Sequence, residues 1–191
     1  MMATAGSEER RRLHPHKFTM WVALASIVMM FAGLTSAYIV KRNQENFLAI
    51  EMPQLFWYST LVIVVSSIMI HLAMKSFRAR EMSRYRTFIS ITALLGGVFI
   101  VLQWIAFQQL QEKGIPIFGS DSNAAASFLG IIAGLHGLHV IGGVIAVIVM
   151  LMNAFFSNRK TYSSTGIEIL STYWHFVGGL WIYLFIFLNW L

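Results

Sequence analysis

Residues 169–190 read ILSTYWHFVGGLWIYLFIFLNW, a segment without a single Asp, Glu, Lys or Arg. About 20 consecutive apolar residues are enough for a helix to cross the hydrocarbon core of a bilayer. His175 stands near the start of this segment, between Trp174 and Phe176. Because a polar group in hydrocarbon is costly, such residues tend to face protein or a functional cavity. The segment therefore predicts a membrane-spanning helix that packs one face against protein.

The rest of the chain is similarly poor in charge. Of its residues, 57% are hydrophobic and 12% are charged, and the mean hydropathy is +0.66. A soluble domain carries about 25% charged residues, so this chain has too few to cover a water-facing surface. The sequence predicts an all-α integral membrane protein, a bundle of five transmembrane helices. The predicted spans are residues 18–40, 55–77, 87–110, 127–152 and 169–190.

Basic residues are concentrated on one side of the predicted bundle. If the N-terminus is cytoplasmic, that side holds eleven of the fourteen Lys and Arg residues, and the other holds Lys41, Arg42 and Lys113. Basic loops stay in the cytoplasm, so we predict a cytoplasmic N-terminus and a periplasmic C-terminus. Residues 1–17 are expected to form a polar cytoplasmic segment, and residues 18–191 the transmembrane domain. The net charge of +6 is therefore attributed to topology, and no nucleic-acid partner is expected.

The acidic residues restrict the possible functions. All eight lie outside the predicted spans or at their edges. Proton relays and cation-coupled transporters place carboxylates within the membrane, so a small transporter is disfavoured. The chain has no Cys, which removes thiolate metal sites and iron–sulfur clusters. With no paired carboxylates and no glycine-rich phosphate loop, independent catalysis is poorly supported.

Histidines are the remaining titratable residues of the spans. His136 and His139 are three residues apart and share one helix face. Either could ligate haem or a metal together with His175, or relay protons, or form interhelical hydrogen bonds. The residues alone favour hydrogen bonding over the other two roles. His71 lies near the cytoplasmic end of its span and has no obvious partner.

Small residues follow the same helix. Gly130 and Gly134 form a Gly-x-x-x-Gly pair, and Gly137, Gly142 and Gly143 continue it. Such surfaces let helix backbones approach closely. Together with the glycines at 178 and 179, they predict that spans four and five pack tightly against each other.

Three patches of the sequence together resemble subunit III of the haem–copper oxidases. They are YWHFV at 173–177, preceded by GIE at 166–168; HGLHV at 136–140; and MMFAG at 29–33. Their order and spacing also fit, so the resemblance covers nearly the whole membrane region. The residues that carry the family motif are His136, Gly137, His139, Gly142, Glu168, Tyr173, Trp174, His175 and Trp181.

The resemblance implies a non-catalytic role. The family's third subunit binds beside the catalytic subunit I, its main contact, together with subunit II and the other oxidase subunits. The complex reduces oxygen to water with electrons from cytochrome c or quinol and pumps protons. Haem and copper are held by partner subunits, so the resemblance implies no catalytic, metal or cofactor site in this chain. Membrane lipids are further partners, and a structural phospholipid is one candidate ligand.

The resemblance also sets the expected size and location. The family's long form has seven spans, so this chain matches the short five-helix form that lacks the N-terminal pair, in a bacterial cytoplasmic (inner) membrane. The sequence departs from the family pattern at two positions, which limits how far the family's proton-handling roles can be assigned to this chain. Ile27 and Gly178 stand where the family usually has Glu and Asp. The alternative function is an independent membrane cytochrome b with His-ligated haem, or a quinone-binding protein.

Overall fold

The computed structural model describes residues 15–42, 53–112, 124–156 and 164–190. This part of the chain forms five α-helices, each long and apolar enough to cross a membrane. They are α1 (Pro15–Arg42), α2 (Leu55–Arg78), α3 (Met82–Glu112), α4 (Ala124–Phe156) and α5 (Thr165–Trp190). The predicted all-α, five-span architecture is confirmed. Residues 1–14 of the predicted N-terminal segment lie outside the described residues, as do Lys113, Arg159 and Lys160.

The turn between α2 and α3 is shorter than the sequence suggests. Residues 78–86 read as a connection, but α3 begins at Met82 because helical hydrogen bonding continues beyond the apolar segment. Arg80 has a φ of 59°. Its N–H donates to the carbonyl of Phe77, and the N–H of Glu81 donates to the carbonyl of Ser76. This is a Schellman-type helix end, in which the left-handed position is usually a glycine.

Replacing Arg80 by Gly is expected to stabilise the chain by about 1 kcal/mol, because glycine adopts this left-handed conformation without steric cost. The midpoint of thermal denaturation of the detergent-purified chain should rise by about 2–4 °C. Arg80→Ala removes the same charge but keeps a Cβ, so its midpoint should not rise. Equal midpoints for the Gly and Ala variants would contradict the role of the backbone here.

Helix α5 lies at the centre of the bundle. Its backbone approaches α1, α2 and α4, and its tryptophan side chains also reach α3, which lies between α2 and α4. Half of its span is buried inside the bundle, against 28% or less for the other helices. Burial of the last span follows from its two indoles, since Trp174 and Trp181 are each only 2% exposed.

An aromatic cluster surrounds Trp181 in this core. The indole stacks on the Phe56 ring at 5.9 Å and on the His136 ring at 5.1 Å, and meets the edge of Phe99 at 5.4 Å. Phe31 of α1 completes the cluster, with its ring centroid 6.4 Å from that of His136 in an edge-on arrangement. Stacked and edge-on ring pairs of this kind are favourable. All five helices contribute one ring to this cluster.

The glycines follow the predicted packing only in part. A Cβ at Gly143 would lie 3.1 Å from the Trp174 ring, so α4 and α5 do approach closely there. At Gly134, Gly137 and Gly142, however, a Cβ would meet nothing within 4 Å. The expectation of tight packing at these three positions is wrong, because they turn away from α5. A closer contact occurs at Gly96 of α3, which the sequence did not single out.

Candidate functional site

Three hydroxyl-bearing side chains of α2 contact polar side chains of the last helix. The indole N–H of Trp174 donates to Ser66 Oγ at 3.0 Å, and that of Trp181 donates to Thr60 Oγ1 at 3.0 Å. The later residue of α5, Trp181, pairs with the earlier residue of α2, Thr60, so the two helices run antiparallel. A buried indole N–H needs such an acceptor. The hydroxyls of α2 therefore fix the rotation of α5.

His175 belongs to the same row of contacts. Its Nδ1 lies 2.6 Å from Ser67 Oγ, and its ring lies 6.1 Å from the ring of His71. His71 thus has a neighbour on α5, which the sequence did not indicate. Both histidines are exposed on the outside of the bundle. This shallow groove between α2 and α5 has a volume of about 410 Å³ and also contains Gly178 and Gly179.

His139 and Tyr173 make a separate contact between α4 and α5. Nδ1 of His139 lies 2.7 Å from the carbonyl of Leu135, one turn earlier in the same helix. The Tyr173 hydroxyl donates to the His139 carbonyl at 2.9 Å. The Tyr173 contact links the two helices through backbone and side chain, whereas the His139 ring is held by its own helix.

His136 differs from the other histidines. The residue is fully buried, and Phe31, Phe99 and Trp181 surround its ring. Neither ring nitrogen has a hydrogen-bond partner among the residues that the structure describes. Burying such a group without a partner is costly, so ring packing accounts for the position of His136 but not for its two unpaired nitrogens.

Gln103 of α3 is a polar residue that the sequence analysis missed. Its Nε2 donates to Ser59 Oγ at 3.0 Å, while its Oε1 is buried and has no partner in the described part of the chain. Gln103 and His136 line the same cavity between α3 and α4. Gln103 could have been identified from the sequence, because it is an isolated amide side chain within a predicted span.

Glu168 joins three helix ends. Its Oε2 lies 2.8 Å from Lys17 Nζ of α1, and its Oε1 lies 3.0 Å from Arg78 of α2. Glu168 is in the first turn of α5, where a negative charge also suits the helix dipole. The carboxylate therefore ties α1, α2 and α5 together at one end of the bundle.

His136 and His175, which the sequence offered as a ligand pair for haem or a metal, do not lie together. His175 lies against Ser67 and His71, whereas His136 is enclosed by aromatic rings in the core. Within the ranges described, no group of three or more His, Cys, Asp or Glu side chains could hold a metal ion. The geometry supports helix packing by the motif residues more directly than it supports ligation.

Comparison with known proteins identifies the family of this bundle. The family model for cytochrome c oxidase subunit III matches residues 43–191. The chain belongs to this family. The match includes four of the five helices and every residue of the family motif. The interpretation as subunit III of a haem–copper cytochrome c or quinol oxidase is thereby confirmed.

Individual relatives come from both oxidase types. The chain is 32% identical to a probable cytochrome c oxidase subunit 3 of Nocardia farcinica, over 96% of this chain and 95% of the relative. It is 33% identical to a similarly described protein of Mycobacterium leprae, over 86% and 82%. A cytochrome bo(3) ubiquinol oxidase subunit 3 of Pseudomonas aeruginosa is 27% identical, over 88% and 81%. The similarity therefore extends over most of each protein.

The departure at Gly178 lies beside the histidine groove. A Cβ at this position would be 3.7 Å from Ile63 and 3.9 Å from Ser67 Oγ, which are ordinary contact distances. A side chain here would therefore border the Ser67–His175 pair. Because position 178 is a glycine, it places no carboxylate beside that pair, unlike the Asp that the sequence resemblance implies.

Proposed function

We propose that the chain is a non-catalytic subunit that stabilises the catalytic, haem- and copper-bearing subunit I of its oxidase. The parent complex reduces oxygen to water, with electrons from cytochrome c or quinol, in a bacterial cytoplasmic membrane. Family membership supports this role. The hydrogen bonds of Trp174 and Tyr173 within the bundle also support it, because they account for these motif residues as packing elements.

The groove between α2 and α5 carries the proposal most directly. Ser67, His71 and His175 place polar atoms on the outside of two membrane-spanning helices, beside exposed apolar residues such as Ile68. Polar groups at membrane depth tend to face protein rather than lipid. His175 uses Nδ1 with Ser67, which leaves Nε2 for a neighbouring chain. This histidine groove is therefore the proposed docking surface.

Small residues make the groove suitable for a helix. A Cβ at Gly179 would meet nothing within 4 Å, so the backbone of α5 is open to close approach there. Membrane helices associate through such small surfaces and through hydrogen bonds across the interface. The proposed occupant is a transmembrane helix of subunit I, with subunit II and other oxidase subunits as further neighbours in the complex.

The proposed orientation places the Glu168 end of the bundle in the cytoplasm. Lys17 and Arg78 lie at this end through their ion pairs with Glu168. Arg86 joins them, since its Nε donates to the Ala154 carbonyl near the end of α4. Basic residues favour the cytoplasmic side, which supports a cytoplasmic N-terminus and a periplasmic C-terminus. The same proposal leaves haem and copper to the partner subunits, with phospholipid as a structural ligand.

Site-specific cross-linking tests the docking surface. The chain has no Cys, so a single introduced thiol can carry a photoactivated benzophenone. Ile68→Cys lies in the groove and is expected to cross-link to subunit I in membranes. Ile145→Cys on α4 is the matched control, because Ile68 and Ile145 are 54% and 57% exposed. Cross-linking to subunit I from position 145 but not from 68 would refute this docking surface.

A second variant tests whether docking matters for assembly. Gly179→Leu fills open space on the surface, so the chain should fold, but the backbone can no longer be approached closely. Co-purification of the haem-bearing subunit through this chain is expected to fall at least tenfold, equivalent to about 1.4 kcal/mol. The control is Gly142→Leu, where a Cβ also meets nothing. Equal recovery of the complex for both variants would argue against docking at Gly179.

A further inference from the structure

A cavity of about 440 Å³ lies between α3 and α4, on a different side of the bundle from the histidine groove. Its walls are mainly apolar and include Phe99, Trp104 and Ile141. Sites for small organic molecules typically measure about 300–1,000 Å³ and have mostly apolar walls with a few polar groups. A single water occupies about 30 Å³. The cavity therefore has the size and lining of a site for an organic ligand.

The first polar group of the cavity is the amide oxygen of Gln103. The hydroxyl of Ser59 donates to the Phe56 carbonyl at 2.9 Å, and Ser59 Oγ accepts from Gln103 Nε2 at 3.0 Å. In this hydrogen-bond assignment the amide nitrogen points toward Ser59. Oε1 is then a buried acceptor with no donor among the described residues. A ligand at Gln103 must supply a hydrogen-bond donor.

The second polar group is His136. Its ring is completely buried, and both nitrogens are without partners in the described part of the chain. A neutral imidazole offers one donor and one acceptor. A hydroxyl group also has both functions, so it can bond to either nitrogen and can donate to Gln103. A ketone or an ester could accept from His136 but could not donate to Gln103.

The charge of the cavity lining and the depth of Gln103 in the membrane further restrict the kind of ligand that can bind. The described residues that line the cavity include no Lys, Arg, Asp or Glu, so none of them would be a counter-ion for a phosphate headgroup. Gln103 lies seven residues inside the predicted span edge at Leu110, about 10 Å along the helix. Charged headgroups stay at the membrane surface, whereas a neutral head can enter to this depth.

We propose that this cavity binds a neutral membrane amphiphile whose head carries a hydroxyl group, and that the buried side chains of Gln103 and His136 turn toward the head to bond to it. The apolar walls would hold the body of the molecule. A lipid alcohol such as a diacylglycerol and a quinol share this chemistry. The site is independent of docking on subunit I, because none of its residues lines the histidine groove.

Native mass spectrometry of the purified oxidase complex containing the full chain tests this site. The complex is delipidated and incubated separately with 1,2-dioctanoylglycerol, decylubiquinol and dioctanoylphosphatidylglycerol. We expect one adduct of either alcohol to remain on this chain when the complex dissociates in the gas phase. An adduct of dioctanoylglycerol identifies a lipid alcohol, and one of decylubiquinol identifies a quinol. Gln103→Leu should weaken this binding about tenfold, because it removes one hydrogen bond between the uncharged ligand hydroxyl and the Gln103 amide.

Two glycine variants separate this cavity from any other site in the complex. Gly137 lines the cavity and has open space beside it, so Gly137→Leu should abolish the adduct without disturbing the fold. Gly142 of the same helix is not among the residues that line the cavity, so the Gly142→Leu variant should retain the adduct. The proposal is overturned if neither alcohol binds the unaltered protein. Equal binding by the Gly137→Leu variant, or equal binding of dioctanoylphosphatidylglycerol, would also overturn it. Recovery of subunit I, measured in the same samples, reports separately on docking.

Discussion

Gly96→Leu is expected to remove most folded chain from the membrane. A Cβ at Gly96 would lie 2.8 Å from Trp174 Cη2 and 2.8 Å from Val144 Cγ2, closer than carbon atoms normally approach. Both neighbours are rigid side chains in the core. Overpacking of this kind costs roughly 1–3 kcal/mol, and occasionally more. The measurement is the fraction of chain that stays monodisperse on size-exclusion chromatography after detergent extraction.

The adjacent glycine provides a matched control. At Gly97 a Cβ would meet nothing within 4 Å, so Gly97→Leu should extract normally. With smaller substitutions, Gly96→Ala should lower the denaturation midpoint, whereas Gly97→Ala should raise it. An alanine in a helix is about 0.5–1 kcal/mol more favourable than a glycine when it meets no obstacle. Equal behaviour at positions 96 and 97 would show that α3 is rotated differently from the structure.

The same pair of glycines shows what the sequence could and could not predict. The five spans were predictable because each is a long apolar segment, and length alone decides whether a helix can cross hydrocarbon. Which glycine faces inward was not predictable. Consecutive helical residues differ by 100° in direction, and a uniformly apolar span contains no polar face that fixes its rotation. Gly96 and Gly97 therefore look alike in the sequence but differ in the fold.

The polar contacts were partly predictable for a similar reason. His175 was recognisable as a residue that faces protein, because it is polar within an apolar span. Its partner Ser67 was not, since serine is common in membrane helices and its hydroxyl can also bond to its own backbone. Gln103 and His136 share a cavity although 33 positions separate them in the chain. Only the packing of α3 against α4 brings them together.

Glu168→Lys is expected to destabilise the bundle more than any other single charge change among the described ion pairs. The carboxylate pairs with both Lys17 and Arg78, so a lysine here would place three cations at the ends of α1, α2 and α5. Glu168→Gln should cost less, about 1 kcal/mol, because the side chains of Lys17 and Arg78 are 40% and 56% exposed and water screens each pair. Thermal denaturation of the detergent-purified chain measures both effects.

Glu81 is the matched control for this charge. Its single ion pair with Arg84 is local and exposed, within one turn of helix, so Glu81→Lys should shift the midpoint by no more than about 1 °C. Salt distinguishes attraction from packing. The difference in denaturation midpoint between the unaltered protein and the Glu168→Gln variant should shrink between 0.05 M and 0.5 M NaCl. Salt screens the ion pairs of the unaltered protein and so weakens their attraction. If the difference is the same at both salt concentrations, Glu168 holds the three helices by shape and hydrogen bonding rather than by charge.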